Sequence, residues 1–523
     1  MLLEHTPALT IGIPLMAAFL TPLLGKIHRK LRTSAVLLSV LLSLASASYL
    51  VWDVLQNGLS VYTLGASNPG LTLPSGYQVP VRIILQVDAL NALMASLLSA
   101  MVLVGVIYSL AFVADRGGTS KYYALLLLLL AGMLGLVFTG DAFNMFVFLE
   151  VSSVAACGLI GFNLRRATSQ EAAFKTLALY TVGALLFLFA VGILYGQYNA
   201  LNFAYLANNL QYNFLDKVTL ALFITALTMK VGAVPMHMWV PDAYGEAMGP
   251  VSLVLVSNTL ASLYALYRIC FTLFGQTLGS PVAGLLIVSL GTVTIFIGVT
   301  MAFLQDEIKR LMAYCALSQI GYMLLGVGVG LALLDTPALQ EYGITALQGG
   351  LFHVVNDALY MGLLFLVGGT LIYVTGERKL SELSGLGRSM RWTPIFALIG
   401  IGAIAGLPPF NGFASKLMIY ESVFRFNPIL AVVALVASIL TLAVLAKVFY
   451  SAFLGPQLPK FAEVNKTVPG SMIFAMAILS VLIIFIGLFP NLVVDNLIDP
   501  ASQALLNQSE YVDAVVKMAG GSL

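Results

Sequence analysis

About fourteen apolar stretches, each long enough to cross a bilayer, follow one another with little chain between them, and this excludes almost every soluble fold. A helix covers the hydrocarbon core of a membrane in about 20 residues. Such stretches fall at approximately 8–25, 33–52, 88–113, 122–139, 141–162, 173–196, 218–240, 248–274, 280–303, 310–333, 343–373, 392–421, 428–454 and 468–494. The fourth and fifth are split only by Thr139-Gly140-Asp141, and together they would make about 60 Å of helix at 1.5 Å per residue, which is two crossings. Composition agrees: 60% of the 523 residues are hydrophobic and 9% are charged, where a soluble protein carries about a quarter. The reading is therefore an all-α polytopic membrane protein. The first apolar run has no basic region before it and no small-residue cleavage site after it, so it reads as a span and not as a removable leader.

Lysine and arginine test the count, because loops on the cytoplasmic side hold an excess of them. With the N-terminus outside and loops assigned alternately, 17 fall inside, 4 outside and 4 within spans. One miscounted helix would invert every later loop and erase that bias. Both termini are therefore expected outside a plasma membrane. A net charge of +2 leaves no electrostatic footprint for nucleic acid. Residues 54–87 hold Leu-Ser-Val-Tyr-Thr and Val-Arg-Ile-Ile-Leu among Gly, Pro and Asn turns, which predicts a hairpin on the outer surface. The tail after about 495 is short and polar, with room for an amphipathic helix.

Function is expected where the chain tolerates a charge in hydrocarbon. Glu150 lies nine residues into span 5, too deep for a short carboxylate to reach the interface. It is either a neutral acid bonded to a neighbouring helix or an ionisable group in transport or pairing. Lys230 precedes Pro235, which cannot bond to the Val231 carbonyl and so must kink or break span 7. The carbonyls freed there can hold water only inside protein or a cavity. A lysine beside such a path can bind and release a proton as a carboxylate approaches or withdraws. His237, nearer the inner end, suits packing and proton relay equally. His353 and Asp357 are four apart on one face of span 11, with Asn356 between, and predict a hydrated polar line. A metal there lacks a third ligand. Span 12 repeats the device with Pro408, Pro409 and then Lys416. The lysine precedes the break in span 7 and follows it in span 12, as an inverted repeat would give. Lys447 and Arg268 read as snorkelling span-end residues, and Asp88 and Asp141 as span-boundary residues. Cys157, Cys270 and Cys315 are scattered and read as packing residues.

These residues resemble the proton-conducting membrane family shared by Mrp-type cation/proton antiporters, antiporter-like subunits of respiratory complex I and the membrane-bound [NiFe]-hydrogenase group. The resemblance covers about 85–455. It rests on Phe-Leu-Glu150, on Lys230-Val-Gly-Ala-Val-Pro-Met-His-Met-Trp-Val-Pro-Asp-Ala-Tyr, on Ile308-Lys-Arg-Leu-Met-Ala-Tyr-Cys-Ala-Leu-Ser-Gln-Ile-Gly-Tyr322, on the His353 segment, and on Gly406-Leu-Pro-Pro-Phe-Asn-Gly-Phe-Ala-Ser-Lys416. It implies fourteen helices with two inverted five-helix repeats broken at helices 7 and 12. The layout would be three helices and a hairpin in 1–113, repeats in 114–275 and 276–455, and a last helix and tail in 456–523. It implies that Glu150 pairs with Lys230, and that Lys230, His353 and Lys416 lie on a hydrated axis. It also implies membership of a multi-subunit complex that moves H⁺ or Na⁺, driven by a redox reaction or an opposing gradient.

Two positions depart from that pattern. Leu260 stands in span 8 where many relatives carry a lysine or histidine, and Asp357 stands where many carry a lysine. Leucine cannot pass a proton, so a relay there needs water, with Ser257, Asn258 and Thr259 as partners. The main expectation is thus an ion-translocating subunit of an oxidoreductase-linked pump or Mrp-type assembly, with neighbouring membrane subunits as partners. The rivals are a stand-alone Na⁺/H⁺ antiporter and a structural paralogue whose conduction is impaired. No P-loop, dinucleotide fingerprint or cysteine cluster is present in the sequence, so no cofactor or redox site is expected in this chain.

Overall fold

The computed structural model describes residues 3–64, 71–72, 78–79, 83–114, 117–164, 166–275, 281–456, 458, 461 and 467–518. Of the loop cations used above, Arg82, Arg116, Arg165, Lys460 and Lys466 lie outside the described residues. The chain begins with α1 (Thr6–Ile27) and α2 (Arg29–Asn57). Strand β1 (Ser60–Thr63) follows, then a short pair, β2 (Leu71–Thr72) and β3 (Gln78–Val79), and then β4 (Ile84–Val87). β1 and β4 pair antiparallel from Ser60↔Val87 to Thr63↔Ile84, so the expected hairpin is present. Asp88 caps α3 (Ala89–Phe112) through a reciprocal box with Asn91, which satisfies the donors a helix start leaves open.

α4 (Thr119–Phe138), α5 (Ala142–Ile160) and α6 (Ala167–Tyr198) come next, with Asp141 capping α5 through Asn144. A short α7 (Phe203–Asn209) leads to α8 (Phe214–Val231) and α9 (Trp239–Glu246). α10 (Gly249–Tyr267) runs on as a π-helical turn to Leu273. Then come α11 (Val282–Phe303), α12 (Ile308–Ala332) and α13 (Ile344–Thr375). α14 (Thr393–Ala405), α15 (Asn411–Phe426), α16 (Pro428–Phe449) and α17 (Gly470–Leu488) complete the apolar set. Two polar helices, α18 (Asp499–Leu506) and α19 (Gln508–Met518), close the chain.

Among the described residues, twelve helices are long and apolar enough to cross a membrane. The sequence places two further spans where the structure has broken pairs, α8/α9 and α14/α15. α8 ends at Gly232, whose φ of +81° a side chain would strain, and α14 ends at Gly406 with φ +75°. The breaks therefore start at glycine, with Pro235 and the Pro408-Pro409 pair within the irregular segments.

The most apolar hydrophobic stretches of α10 and α12 are entirely buried, and that of α13 nearly so, whereas α1 and α2 leave most of theirs at the surface. A membrane protein buries its polar helices centrally and offers apolar ones to lipid. α11 and α12 cross at Gly291 and Gly321, where an added Cβ at Gly321 would meet the Gly291 carbonyl at 2.6 Å; small residues allow such close crossings.

Candidate functional site

α5 brings Glu150 to the end of α8, where Lys230 occupies the last turn. Lys230 Nζ lies 3.1 Å from Glu150 Oε1 and donates to Ser153 Oγ at 2.6 Å. It also sits 4.9 Å from the Tyr180 ring centroid. The lysine is buried, but Glu150 is one-third exposed on a stripe with Phe143, Val147 and Val154 along the flank of α5. The break beyond is stitched by Trp239, whose indole Nε1 donates to the Met229 carbonyl at 3.0 Å, and by Val234 N donating to Thr294 Oγ1 at 3.1 Å. Groups that the lost helical turn leaves open are so satisfied inside protein.

His353 is fully buried on α13. Its Nδ1 is 2.9 Å from Ser415 Oγ on α15, and its Nε2 is 3.1 Å from the Tyr360 hydroxyl and 3.3 Å from Gln319 Oε1. Asn356 donates to the Asn411 carbonyl and to Ser415 Oγ, each at 3.0 Å. Lys416, next in α15, is buried above the Tyr322 ring at 4.6 Å and donates to Ile404 O at 2.7 Å and Ser438 Oγ at 3.0 Å. Tyr322 stands between the two basic groups, its ring 5.7 Å from that of His353.

The expected residues thus fall into two clusters. Glu150 and Lys230 make one; His353 and Lys416 share a second through Ser415 and Tyr322. Asp357 is buried on α13, one turn after His353. Of the span-8 partners, Thr259 shares a 2.7 Å hydrogen bond with Tyr244, Asn258 is buried, and Ser257 donates to Leu253 O at 3.4 Å. Leu260 is buried and lines a small apolar void with Tyr264, Tyr267, Leu351 and Val354. His237 is half-buried within the break and bonds Pro235 O at 3.3 Å; the structure does not bring it to either cluster. Among the described residues no three His, Cys, Asp or Glu side chains converge as a metal site.

The sequence reading of Arg268 needs correction. It does not snorkel: it is buried and forms an ion pair with Asp88 while donating from Nε to the Tyr264 hydroxyl at 2.8 Å. Spacing alone hid this, because the partners are 180 residues apart. Lys447 is exposed, with its ammonium 6.0 Å from the Phe303 ring centroid. Also unforeseen is a charged latch on α9. Asp242 pairs with Lys175 at 3.0 Å and with Arg310, and Glu246 pairs with Arg166 at 3.3 Å and Arg378 at 2.9 Å. Four cations expected on the inner side so hold the far half of the broken helix.

A family model described as NADH:quinone oxidoreductase/Mrp antiporter, transmembrane, matches residues 139–441. The NADH-quinone oxidoreductase subunit N of Desulforudis audaxviator is 31% identical, over 95% of this chain and 98% of its own. The D-type Na(+)/H(+) antiporter protein of Alkalihalophilus pseudofirmus is 29% identical, over 97% and 99%. A chain of the Mrp complex from Dietzia sp. DQ12-45-1b has the same fold with a TM-score of 0.83 at 25% identity, covering 99% of this chain and 100% of that one. A chain of the membrane-bound sulfane sulfur reductase, an archaeal respiratory membrane complex, gives 0.83 at 27% identity, covering 98% and 100%.

Proposed function

We propose, for a chain that belongs to the NADH:quinone oxidoreductase/Mrp antiporter membrane family, that it is the ion-translocating subunit of a larger membrane assembly, moving protons along a line from Glu150 and Lys230 to His353 and Lys416. The observation that carries this is the 3.1 Å contact between Lys230 and Glu150. A buried ammonium keeps its charge in low dielectric only with a partner, and loses the advantage when that partner moves. The pair therefore forms an element that can hold a proton in one state and release it in the other.

Glu150 also argues for a neighbour. An ionisable carboxylate one-third exposed among Phe143, Val147 and Val154 faces hydrocarbon unless another subunit covers that flank. The relatives include subunits of Mrp antiporters and of NADH-quinone oxidoreductase, and either type of assembly suits this face. On this reading the broken pairs α8/α9 and α14/α15 complete fourteen crossings in two inverted repeats. The same reading puts the chain in the plasma membrane, and the lysine and arginine bias supports both termini outside. The electron chemistry, where the assembly has any, belongs to other subunits.

The test is Lys230→Ala in membranes that carry the whole assembly. Translocation should fall at least tenfold while the assembly still forms. Unchanged ion pumping would overturn the reading and leave a structural subunit, the role that buried Leu260 would favour.

A further inference from the structure

At the end of the bundle where the cations of the α9 latch gather, the turn between α9 and α10 walls a cavity of about 70 Å³. That is several times the ~10–15 Å³ that one water needs. Three helices start beside it: α6 just after Arg166, α10 at Gly249, and α12 just before Lys309. Helix starts point N–H groups and a partial positive charge at whatever faces them, which suits an anion. The starts of α6 and α12 have no side-chain cap. Lys309 is the unusual member of the wall. It is 1% exposed, and among the described residues it forms no ion pair. Its ammonium donates to the Ala247 carbonyl and makes no second hydrogen bond there, although an ammonium has three donors. Lys230 and Lys416 each make two. Lys309 also lies in the first turn of α12, where the helix dipole opposes a cation. The carboxylates at hand are already engaged: Glu246 with Arg166 and Arg378, and Glu307 with Arg378. The charge of Lys309 is thus left over, and a buried charge without a counter-charge is costly.

We infer that this cavity is a binding site for a phosphate-type oxyanion, either the phosphodiester of an anionic membrane lipid or free phosphate, with Lys309 as its central cation. The oxyanion takes the spare N–H groups of Lys309 and supplies the missing counter-charge. Arg166 stands at the mouth with its side chain 39% exposed, and a guanidinium matches the geometry of phosphate oxygens. Phe112 and Ile372 add apolar wall beside the charged one, carbon that the chains of a lipid would meet. Basic pockets between membrane helices hold lipid headgroups in this way. An anion seated here joins the starts of α6, α10 and α12, and so secures the far half of the first broken pair to the rest of the bundle.

The test reads binding and not transport, so its failure leaves the function proposed above standing. The intact assembly, stripped of lipid in a neutral detergent, is titrated with inorganic phosphate, and with potassium chloride at equal ionic strength. It is also placed in phosphatidylcholine vesicles with and without phosphatidylglycerol. A ligand held only by the folded state raises the melting temperature as its concentration rises. Phosphate or phosphatidylglycerol should do so, and chloride or phosphatidylcholine alone should not. A rise with phosphate identifies the free anion as occupant, and a rise with phosphatidylglycerol alone identifies the lipid. Lys309→Met should raise the concentration of the effective probe needed for the same shift about tenfold. Without that probe it should melt no lower than wild type, since it no longer buries a lone charge. No shift with either probe, an equal shift with chloride, or an undiminished shift in Lys309→Met would overturn the inference. Were Lys309→Met to fail to assemble, Arg166→Gln would decide: it should weaken the response several-fold, and an unchanged response would count against the site.

Discussion

Lys416 reaches back across the break in its own helix pair and donates to the Ile404 carbonyl at 2.7 Å. That carbonyl lies at the C-terminal end of α14, where the helix dipole favours a positive charge. Lys230, by contrast, sits before its break and spends its charge on Glu150 and Ser153. One basic group is thus held by a carboxylate and the other by backbone and the Ser438 hydroxyl. The first can be switched by moving an acid, and the second only by a change in the break itself.

Lys416→Ala should therefore abolish most translocation, at least tenfold, with the assembly intact. Lys416→Arg should not restore it, because a guanidinium keeps its proton under all conditions and its planar fork does not fit a site shaped for a point charge. Proton flux in reconstituted vesicles reads both outcomes.

Gly232 sets the geometry of the first break. Its φ of +81° disfavours any side chain, and an added Cβ would lie 2.3 Å from Val240 Cγ2. Gly232→Ala should cost about 1–3 kcal/mol, seen as a lower melting temperature of the assembly, and should slow transport by tilting Trp239 away from the Met229 carbonyl. Gly196→Ala, with nothing within 4 Å of its new methyl, should leave both unchanged.

The Arg268–Asp88 pair ties α3 to the end of α10 inside the bundle. Removing one member of a buried pair costs about 3–5 kcal/mol, because the other charge is left alone. Asp88→Leu or Arg268→Leu should each lower the yield of folded protein sharply, and the double variant should recover much of the loss. Detergent-extracted yield and thermal stability measure this.

Glu150→Gln should leave assembly intact and slow translocation at least tenfold, since the amide cannot hold the Lys230 charge. Glu150→Asp should give an intermediate rate, its shorter side chain stretching a 3.1 Å contact.

Much of this was legible in the sequence for a physical reason. Spans are written as length and hydropathy, and a proline in a span announces a break whatever packs around it, so α8/α9 and α14/α15 were foreseen. Glu150, Lys230, His353 and Lys416 stood out because a charge in hydrocarbon is rare and costly. The glycines that open each break were less visible, since a positive φ depends on backbone geometry and not on composition. Long-range partners were invisible. Arg268 looked like a snorkelling side chain until the fold laid Asp88 beside it. The latch of Arg166, Lys175, Arg310 and Arg378 on α9 needs the starts of α6 and α12 and the segment after α13 to meet. His237 suits packing and relay equally by sequence, and in the fold it bonds the Pro235 carbonyl of its own segment.

A line of water and hydroxyls must join the two clusters if protons pass between them. Four buried polar atoms along it, Asn258 Oδ1, Asp357 Oδ1, Gln319 Nε2 and Asn411 Oδ1, have no hydrogen-bond partner among the described residues. A density map of the native assembly, sharp enough to show ordered solvent, should place water within hydrogen-bond reach of each. The same four atoms packed against carbon, with no solvent between Lys230 and Lys416, would contradict it.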